Sequence, residues 1–345
     1  MFKSNFKYTD RIVKNLTSIA EARSVILNAP FIPKWEVSLR RDALLRSAHA
    51  STAIEGNPLS LEEVTALAEG REVMARRRDK QEVLNYIEAL EKIPEFAKKK
   101  PFTSSDLLEI HRVVVKDTLE SPEDEGSFRN RQVVVVNRLT GEIIFTPPPT
   151  EKVPQLVEEF LEWFNSPEVD GVDPVIEAGI THYEIVRIHP FVDGNGRTTR
   201  VMASQVLYKR GFDVKRFFAL DDYYDHDRRS YYQALNSVDQ GTLDITQWLE
   251  YFSEGVALSI KAVKDKVIGL SKDIKVLKDR GQITLTEKQM KIVEKAVRDE
   301  KITAGEVSKM FRISRQAALK EMNKLVELGV FRLRGKGRGA HYILA

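Results

Sequence analysis

The run His189–Arg200, reading HPFVDGNGRTTR, gathers residue types that could do chemistry at close spacing. It joins the end of one helix to the start of the next. Gly194 and Gly196 free the backbone, so that consecutive amides around Asn195 can point into one concavity. A helix over 196–210, closed by Gly211, adds its positive end. Such an anion nest suits phosphate. Arg197 and Arg200, one turn apart, can reach the same anion with charge-assisted forks. Asp193 beside the nest can hold the Mg²⁺ that escorts a polyphosphate. His189 precedes the nest and is free to act as base toward a hydroxyl. Phe191 anchors the loop from inside as core. Each part has an ordinary alternative: a cap histidine, a solvated pair of arginines, a Gly-Asn-Gly turn. Seven roles in twelve residues are hard to explain that way.

Most elements that must position this run have helical period. Ala43, Leu44, Leu45 and Ala48 share one face of a helix over Arg40–Ser51. After the breaker Gly56-Asn57-Pro58, Ser60 caps Leu61–Ala68 with Glu63 completing a capping box. Further helices fit Lys80–Leu90, Ser104–Val115, Val153–Asn165 and Pro174–Arg187. The β-branched runs Gln132–Val136 and Glu142–Thr146 flank Asn137–Gly141 and predict a hairpin, ended by Pro147-Pro148-Pro149. A lone hairpin must rest on the helices beneath it. From Val256, apolar residues at Ile260, Val263, Val267, Leu270, Ile274 and Leu277 make a heptad seam. It reads as one long helix packing on its own domain, with a dimerising coil as the alternative. Gly281 ends it.

A new unit starts near Thr284. It holds helices over Glu287–Arg298, Ala304–Met310 and Ser314–Leu328, then two short strands, Val330–Arg334 and His341–Leu344, around a basic loop Gly335–Gly339. Ser314 is a good N-cap for the second helix of a helix-turn-helix. The layout resembles a winged-helix domain. Residues 301–345 hold ten Lys/Arg against three Asp/Glu, net +7, although the whole chain is only +3 and residues 1–300 therefore −4. With Arg315, Lys320 and Lys324 on the recognition helix, 284–345 is a candidate DNA contact, though such domains also serve protein interaction.

Composition sets outer bounds. At 345 residues, 42% of them hydrophobic, the chain can bury a sizeable core in two or three domains. Four segments are expected: 1–100 helical, 101–255 the core carrying the site, 256–283 a linking helix, and 284–345 the winged helix. Cysteine is absent, which excludes disulfides, thiol catalysis and Cys-ligated metals. No apolar run approaches eighteen residues and Met1–Asp10 lacks an apolar signal core, so a soluble, cytoplasmic protein with no membrane span is expected.

His189–Arg200 resembles the signature His-x-Phe-x-Asp/Glu-Gly-Asn-Gly-Arg-x-x-Arg of the Fic (filamentation-induced-by-cAMP) family, with every specified position matched. The resemblance extends over nearly all of 1–255. It implies a mainly α fold, a Fic helical core with a β-hairpin flap, and transfer of AMP from ATP to a protein hydroxyl. His189 would then deprotonate a target Tyr, Thr or Ser, and Asp193 would bind Mg²⁺ on the α- and β-phosphates. Gly194, Asn195 and Gly196 would cradle the phosphates, Arg197 would take the β/γ end and Arg200 the γ-phosphate. In-line attack at the α-phosphate would release pyrophosphate. The hairpin at 132–146 resembles the family flap that holds a target segment by strand addition, with Gly126-Ser127-Phe128-Arg129 as its lead-in. Asp227–Leu235 resembles the segment lining the base pocket through Tyr231 and Tyr232, although both could instead be helix-face core.

Upstream, Ser51-Thr52-Ala53-Ile54-Glu55-Gly56-Asn57 resembles the family's N-terminal inhibitory motif. By that resemblance, Ser51 and Glu55 mark an autoinhibitory segment in which Glu55 pairs with Arg200 where the γ-phosphate belongs. A carboxylate facing an arginine built for phosphate is a ready competitor, and breaking such a buried pair costs about 3–5 kcal/mol. The favoured reading is an autoinhibited adenylyltransferase, with self-modification and a homodimer through the core or the 256–277 seam as further expectations. De-AMPylation or another phosphate-group transfer is an alternative on the same fold. Kinase-like relatives lack the Gly-Arg end of the nest or its last Arg, and both are present here. A DNA-binding regulator with a Fic sensor domain is the third reading. P-loop, dinucleotide-fold and Gly-x-Ser-x-Gly motifs are absent, and His182 with His189 makes no zinc site.

Overall fold

Helical periodicity governs the chain, and the computed structural model, which describes residues 2–29, 33–136, 143–273, 285–299, 301–335 and 339–344, follows it. The hairpin turn 137–142, the seam positions Ile274 and Leu277, Gly281, Thr284 and loop residues 336–338 lie outside the described residues. The chain forms two compact units, one of Met1–Leu27 and Ala43–Lys264, the other of Asn28–Asp42 and Asp265–Ala345.

In chain order the helices are α1 (Asp10–Asn28), α2 (Pro33–Ile54), α3 (Leu61–Ala68), α4 (Arg77–Phe96) and α5 (Ser104–Val115). The hairpin strands β1 (Val135–Val136) and β2 (Ile143–Phe145) follow. Next come α6 (Val153–Phe164), α7 (Pro174–Ile188), α8 (Asn195–Lys209), α9 (Leu220–His226), α10 (Arg228–Asn236) and α11 (Thr246–Asp273). The capping box at Ser60 and Glu63 forms as expected, and Thr103 with Asp106 builds a second one for α5.

The core of the first unit is α7, a helix buried nearly throughout, including at Glu177, Thr181, His182 and Glu184. Beside it α8 is buried even at Arg197, Thr198, Thr199 and Arg200. A first turn that carries its charge inward serves a site, because burying charge without a partner is costly. The hairpin is shorter than its β-branched runs. Among the described residues, only Val135 pairs with Phe145 and Val136 with Ile143, with a register irregularity between them. Three prolines from Pro147 supply no ladder donors. Val134, Val136, Ile143 and Ile144 are exposed on it. Along α11, Val256, Ile260, Val263 and Val267 are buried within the single chain, and Leu270 is half-buried.

The second unit contains α12 (Glu287–Asp299), α13 (Ala304–Phe311), α14 (Arg315–Glu327) and the antiparallel strands β3 (Phe331–Arg334) and β4 (His341–Leu344). Ser314 caps α14 by accepting from Ala317 N. Ile302 bridges to Tyr342, and Met290, Val293, Val307, Met322, Leu325 and Phe331 fill the core. None of the described helices is long and apolar enough to cross a membrane.

Candidate functional site

His189 caps α7 in the left-handed conformation, φ 50°, ψ 60°. That region is sparsely populated for a residue with a Cβ and has to be held by its surroundings. The imidazole Nδ1 lies 3.2 Å from Val186 O. A carbonyl only accepts, so Nδ1 carries the proton and Nε2 keeps its lone pair. Burial holds the ring pKa below its ordinary 6.5, so the neutral base dominates at neutral pH.

The loop after it is braced from within. Asn195 Nδ2 donates to Phe191 O and Phe191 N to Asn195 Oδ1, both at 2.9 Å. The Asn195 side chain is therefore a strut of the loop. Phe191 is core, as its type suggested, and lies flat on His111 with centroids 3.7 Å apart. His111 Nδ1 accepts from Gly126 N at 3.0 Å, which leaves Nε2–H to donate to Asp193 O at 3.0 Å. This histidine escaped sequence reading because it is one polar residue on the buried face of α5. Burial pulls its pKa down to about 4, so it is neutral.

Gly194 has φ +80°, and a Cβ there would collide with Val115. α8 begins at Asn195, so its first N–H groups have no carbonyl behind them within the helix. Gly194 N is already used by Asp193 Oδ1.

Two arginines close this nest. Arg200 is buried: its Nε donates to Ser51 Oγ at 2.7 Å, and its NH2 donates to Ser51 O at 3.0 Å and to Glu55 Oε1 at 2.9 Å. Behind it Asp221 lies 3.4 Å from Nε and accepts from Tyr86 OH. Burial pushes the Glu55 carboxyl up, but Arg200 and Arg197 outweigh it and the group sits below its ordinary value. Burial keeps Asp221 above its ordinary value despite Arg200. A Cβ on Gly196 would collide with Glu55 Oε1, so this carboxylate lies against the nest itself.

Arg197, equally buried, belongs to a ring of alternating charge. Its NH2 meets Asp193 Oδ1 at 3.2 Å, Asp193 Oδ2 meets Arg78 at 3.1 Å, Arg78 meets Glu82 at 3.1 Å, and Glu82 returns to Arg197 NH1 at 3.5 Å. Arg197 Nε has no hydrogen bond, and NH1 has only the ion pair. Arg78 and Glu82 of α4 were not legible as site residues, because only the fold brings them to Asp193.

Tyr231 and Tyr232 separate. Tyr231 is 2% exposed, packs among Tyr224, Trp248 and His182 and lies 2.9 Å from His182 Nε2 through its hydroxyl. Its burial fits the core reading, yet Arg200 and Glu55 act on its hydroxyl, so it also lies beside the nest. Tyr232 is 38% exposed and keeps a face outward. Among the described residues no cluster of three or more His, Asp or Glu could hold a resident metal. Asp193, with the unfilled donors of Arg197 beside it, fits a cation that arrives on a polyphosphate, since Mg²⁺ commonly takes one or two carboxylates plus phosphate oxygens.

Residues 101–207 match the Fic/DOC family. The chain is 29% identical over 256 residues to the protein adenylyltransferase Fic of Nematostella vectensis, covering 72% of this chain and 55% of that protein. It is 30% identical over 205 residues to the protein adenylyltransferase Fic of Drosophila grimshawi, covering 58% and 40%. The chain thus spans about half the length of the curated relatives it matches. A Fic family protein from Desulfovibrio desulfuricans superposes over all of this chain and 98% of its own, at TM-score 0.66 and 22% identity. Fic-1 from C. elegans superposes over 76% and 73%, at TM-score 0.60 and 25% identity. The mainly helical Fic fold is common to these structures and this chain.

Proposed function

We propose that this chain is a protein adenylyltransferase that carries its own inhibitor. In this reading His189 Nε2 takes the proton of a target Tyr, Thr or Ser hydroxyl. The hydroxyl oxygen bonds to the α-phosphorus of ATP while the bond to the β-phosphate oxygen breaks and pyrophosphate leaves. The amides around Asn195 and Gly196, with Arg197, bind the phosphates, and Arg200 takes the terminal one. Asp193 would hold Mg²⁺, which supplies charge neutralisation on the polyphosphate when bound. The hairpin, with its exposed Val134, Val136, Ile143 and Ile144, would dock the target segment by its edge, and Tyr232 would face the base.

One observation carries the reading: a carboxylate already sits in the anion nest, Glu55 against Gly196 and on Arg200 at 2.9 Å. A γ-phosphate and Glu55 cannot both hold that arginine. Transfer of α-labelled ATP to protein tests it. Strong labelling is expected in Glu55→Gly, weak labelling in wild type and none in His189→Ala. Absence of α-label in every variant would leave transfer of another group, read with γ-label, or a silent regulator.

A second reading, compatible with the first, concerns the other unit. We read 284–345 as a winged helix that touches DNA. Arg315, Lys320 and Lys324 are exposed on α14, and Arg332 and Arg334 on β3. Affinity for an operator-like duplex should fall at least about tenfold between 50 and 200 mM salt, since each phosphate contact releases counterions. Salt-insensitive or absent binding would sink it.

A further inference from the structure

The buried guanidinium of Arg129 belongs to none of the roles above, yet it touches both working parts of the proposed site. Its Nε donates to His189 O at 2.9 Å. Its NH1 donates to Thr150 Oγ1 at 2.7 Å and Gln132 Oε1 at 3.4 Å, and its NH2 donates to Pro148 O. Its backbone N donates to Pro190 O at 2.8 Å. Gln132 leads into the hairpin, while Pro148 and Thr150 lead out of it. Gln132 Nε2 also reaches across to Pro147 O at 3.0 Å.

Among the described residues no carboxylate lies within ion-pair distance of Arg129. Glu151 acts on it only from farther off. A buried cation so poorly paired is an expensive way to fill space, and an apolar side chain would fill it at lower cost. The rigid fork is what an apolar residue lacks: several donors at fixed angles, aimed at several acceptors at once. One edge of the fork grips the carbonyl of the residue in left-handed conformation. The other edge closes the hairpin stem, which among the described residues has only two paired positions.

We propose that Arg129 is a positioning residue that locks the His189 backbone and the hairpin stem to each other. A hydroxyl carried on the hairpin then arrives within reach of Nε2. This rests on the adenylyl-transfer reading for its consequence, but its geometry can be tested without it. The left-handed twist at His189 aims the imidazole so that Nδ1–H finds Val186 O, and Arg129 holds that twist from the carbonyl side.

The test uses the full chain as Glu55→Gly, alone and combined with Arg129→Lys or Arg129→Met. Calorimetry with Mg·ATP should give affinities within about twofold of one another, because the nest residues are untouched. Incorporation of α-label into the chain itself should lose kcat about tenfold or more in Arg129→Met, with KM for ATP unchanged, as expected when a reacting group is misplaced. Arg129→Lys should recover part of it. Histidine NMR, with the signal assigned by its loss in His189→Gln, should show the Nδ1-protonated tautomer in Glu55→Gly and a tautomer mixture in both Arg129 variants.

Equal kcat in all three proteins would overturn the proposal, as would an affinity loss parallel to the kcat loss. If Glu55→Gly itself transfers no label, the adenylyl-transfer reading fails and NMR alone decides the role of Arg129. A tautomer mixture in the Arg129 variants would then uphold it, and an unchanged Nδ1–H tautomer would overturn it.

Discussion

The two sides of the nest differ in how their arginines are satisfied. Arg200 has a hydroxyl, a backbone carbonyl and two carboxylates around it. Arg197, three residues on the N-terminal side of it, keeps Nε and NH1 without hydrogen bonds and shares its carboxylates with an exposed arginine. On the Arg200 side the guanidinium and Asp221 are buried, and Glu55 keeps about a quarter of its side chain exposed. On the Asp193 side the link to solvent is the pair of Arg78, 52% exposed, with Asp193, 40% exposed. Net energies follow exposure: exposed pairs contribute about 0–1 kcal/mol, whereas breaking a buried one costs about 3–5 kcal/mol. In the proposed reading, inhibition therefore belongs to Glu55 and readiness for ligand to Arg197.

Acid should act hardest through the buried histidines, His182 near Arg200 and His111 on the Asp193 side. Burial depresses His111 in the folded chain from 6.5 to about 4, so between those values the unfolded chain binds more protons. Stability is then lost as pH falls through that window, by roughly 3 kcal/mol for this group. Urea unfolding at pH 7 and pH 4.5 measures it, and His111→Gln should remove part of the difference, the rest coming from buried His182. Removing the competitor at Arg200 comes next. Glu55→Gly should tighten Mg·ATP binding by about tenfold to a hundredfold, the worth of one charge-assisted bond. An unchanged affinity would erase the distinction between the two sides.

Arg197→Met should weaken nucleotide binding about tenfold in the Glu55→Gly background, since its open donors lose their ligand. It should also lower thermal stability, by about 3 kcal/mol, because buried Glu82 and half-exposed Asp193 lose their shared cation. The smallest effect is expected from Arg78→Ala, about two- to fivefold tighter Mg·ATP by calorimetry, because a half-exposed arginine leaves Asp193.

What could be read from the chain alone was whatever local spacing encodes. The capping box at Ser60, the helix Ser104–Val115, the N-cap Ser314 and the nest with Gly194 all follow from residues within a few positions. The contact of Glu55 with Arg200 was legible only through resemblance, since 145 residues separate them. Arg78, Glu82 and His111 gave no signal, for the partners that define them lie 82 to 115 residues away. Hydrophobic pattern overstated the hairpin, because β-branched residues state a preference while prolines and side-chain bonds at the stem decide how many pairs form. It also left Tyr231 undecided between core and site, because a buried tyrosine and a ligand-facing one share the same period.

The ring of Arg78, Asp193, Arg197 and Glu82 carries two positive and two negative charges, and Glu55 cancels much of Arg200. A nest neutralised in this way projects little potential beyond a Debye length. Arriving nucleotide is not drawn in by long-range attraction, so its association rate should be slow and nearly independent of ionic strength. With Glu55 gone, Arg200 is exposed to the approach and the same rate should rise and become salt-sensitive. In the proposed reading, the Glu55 contact then acts on encounter as well as on occupancy.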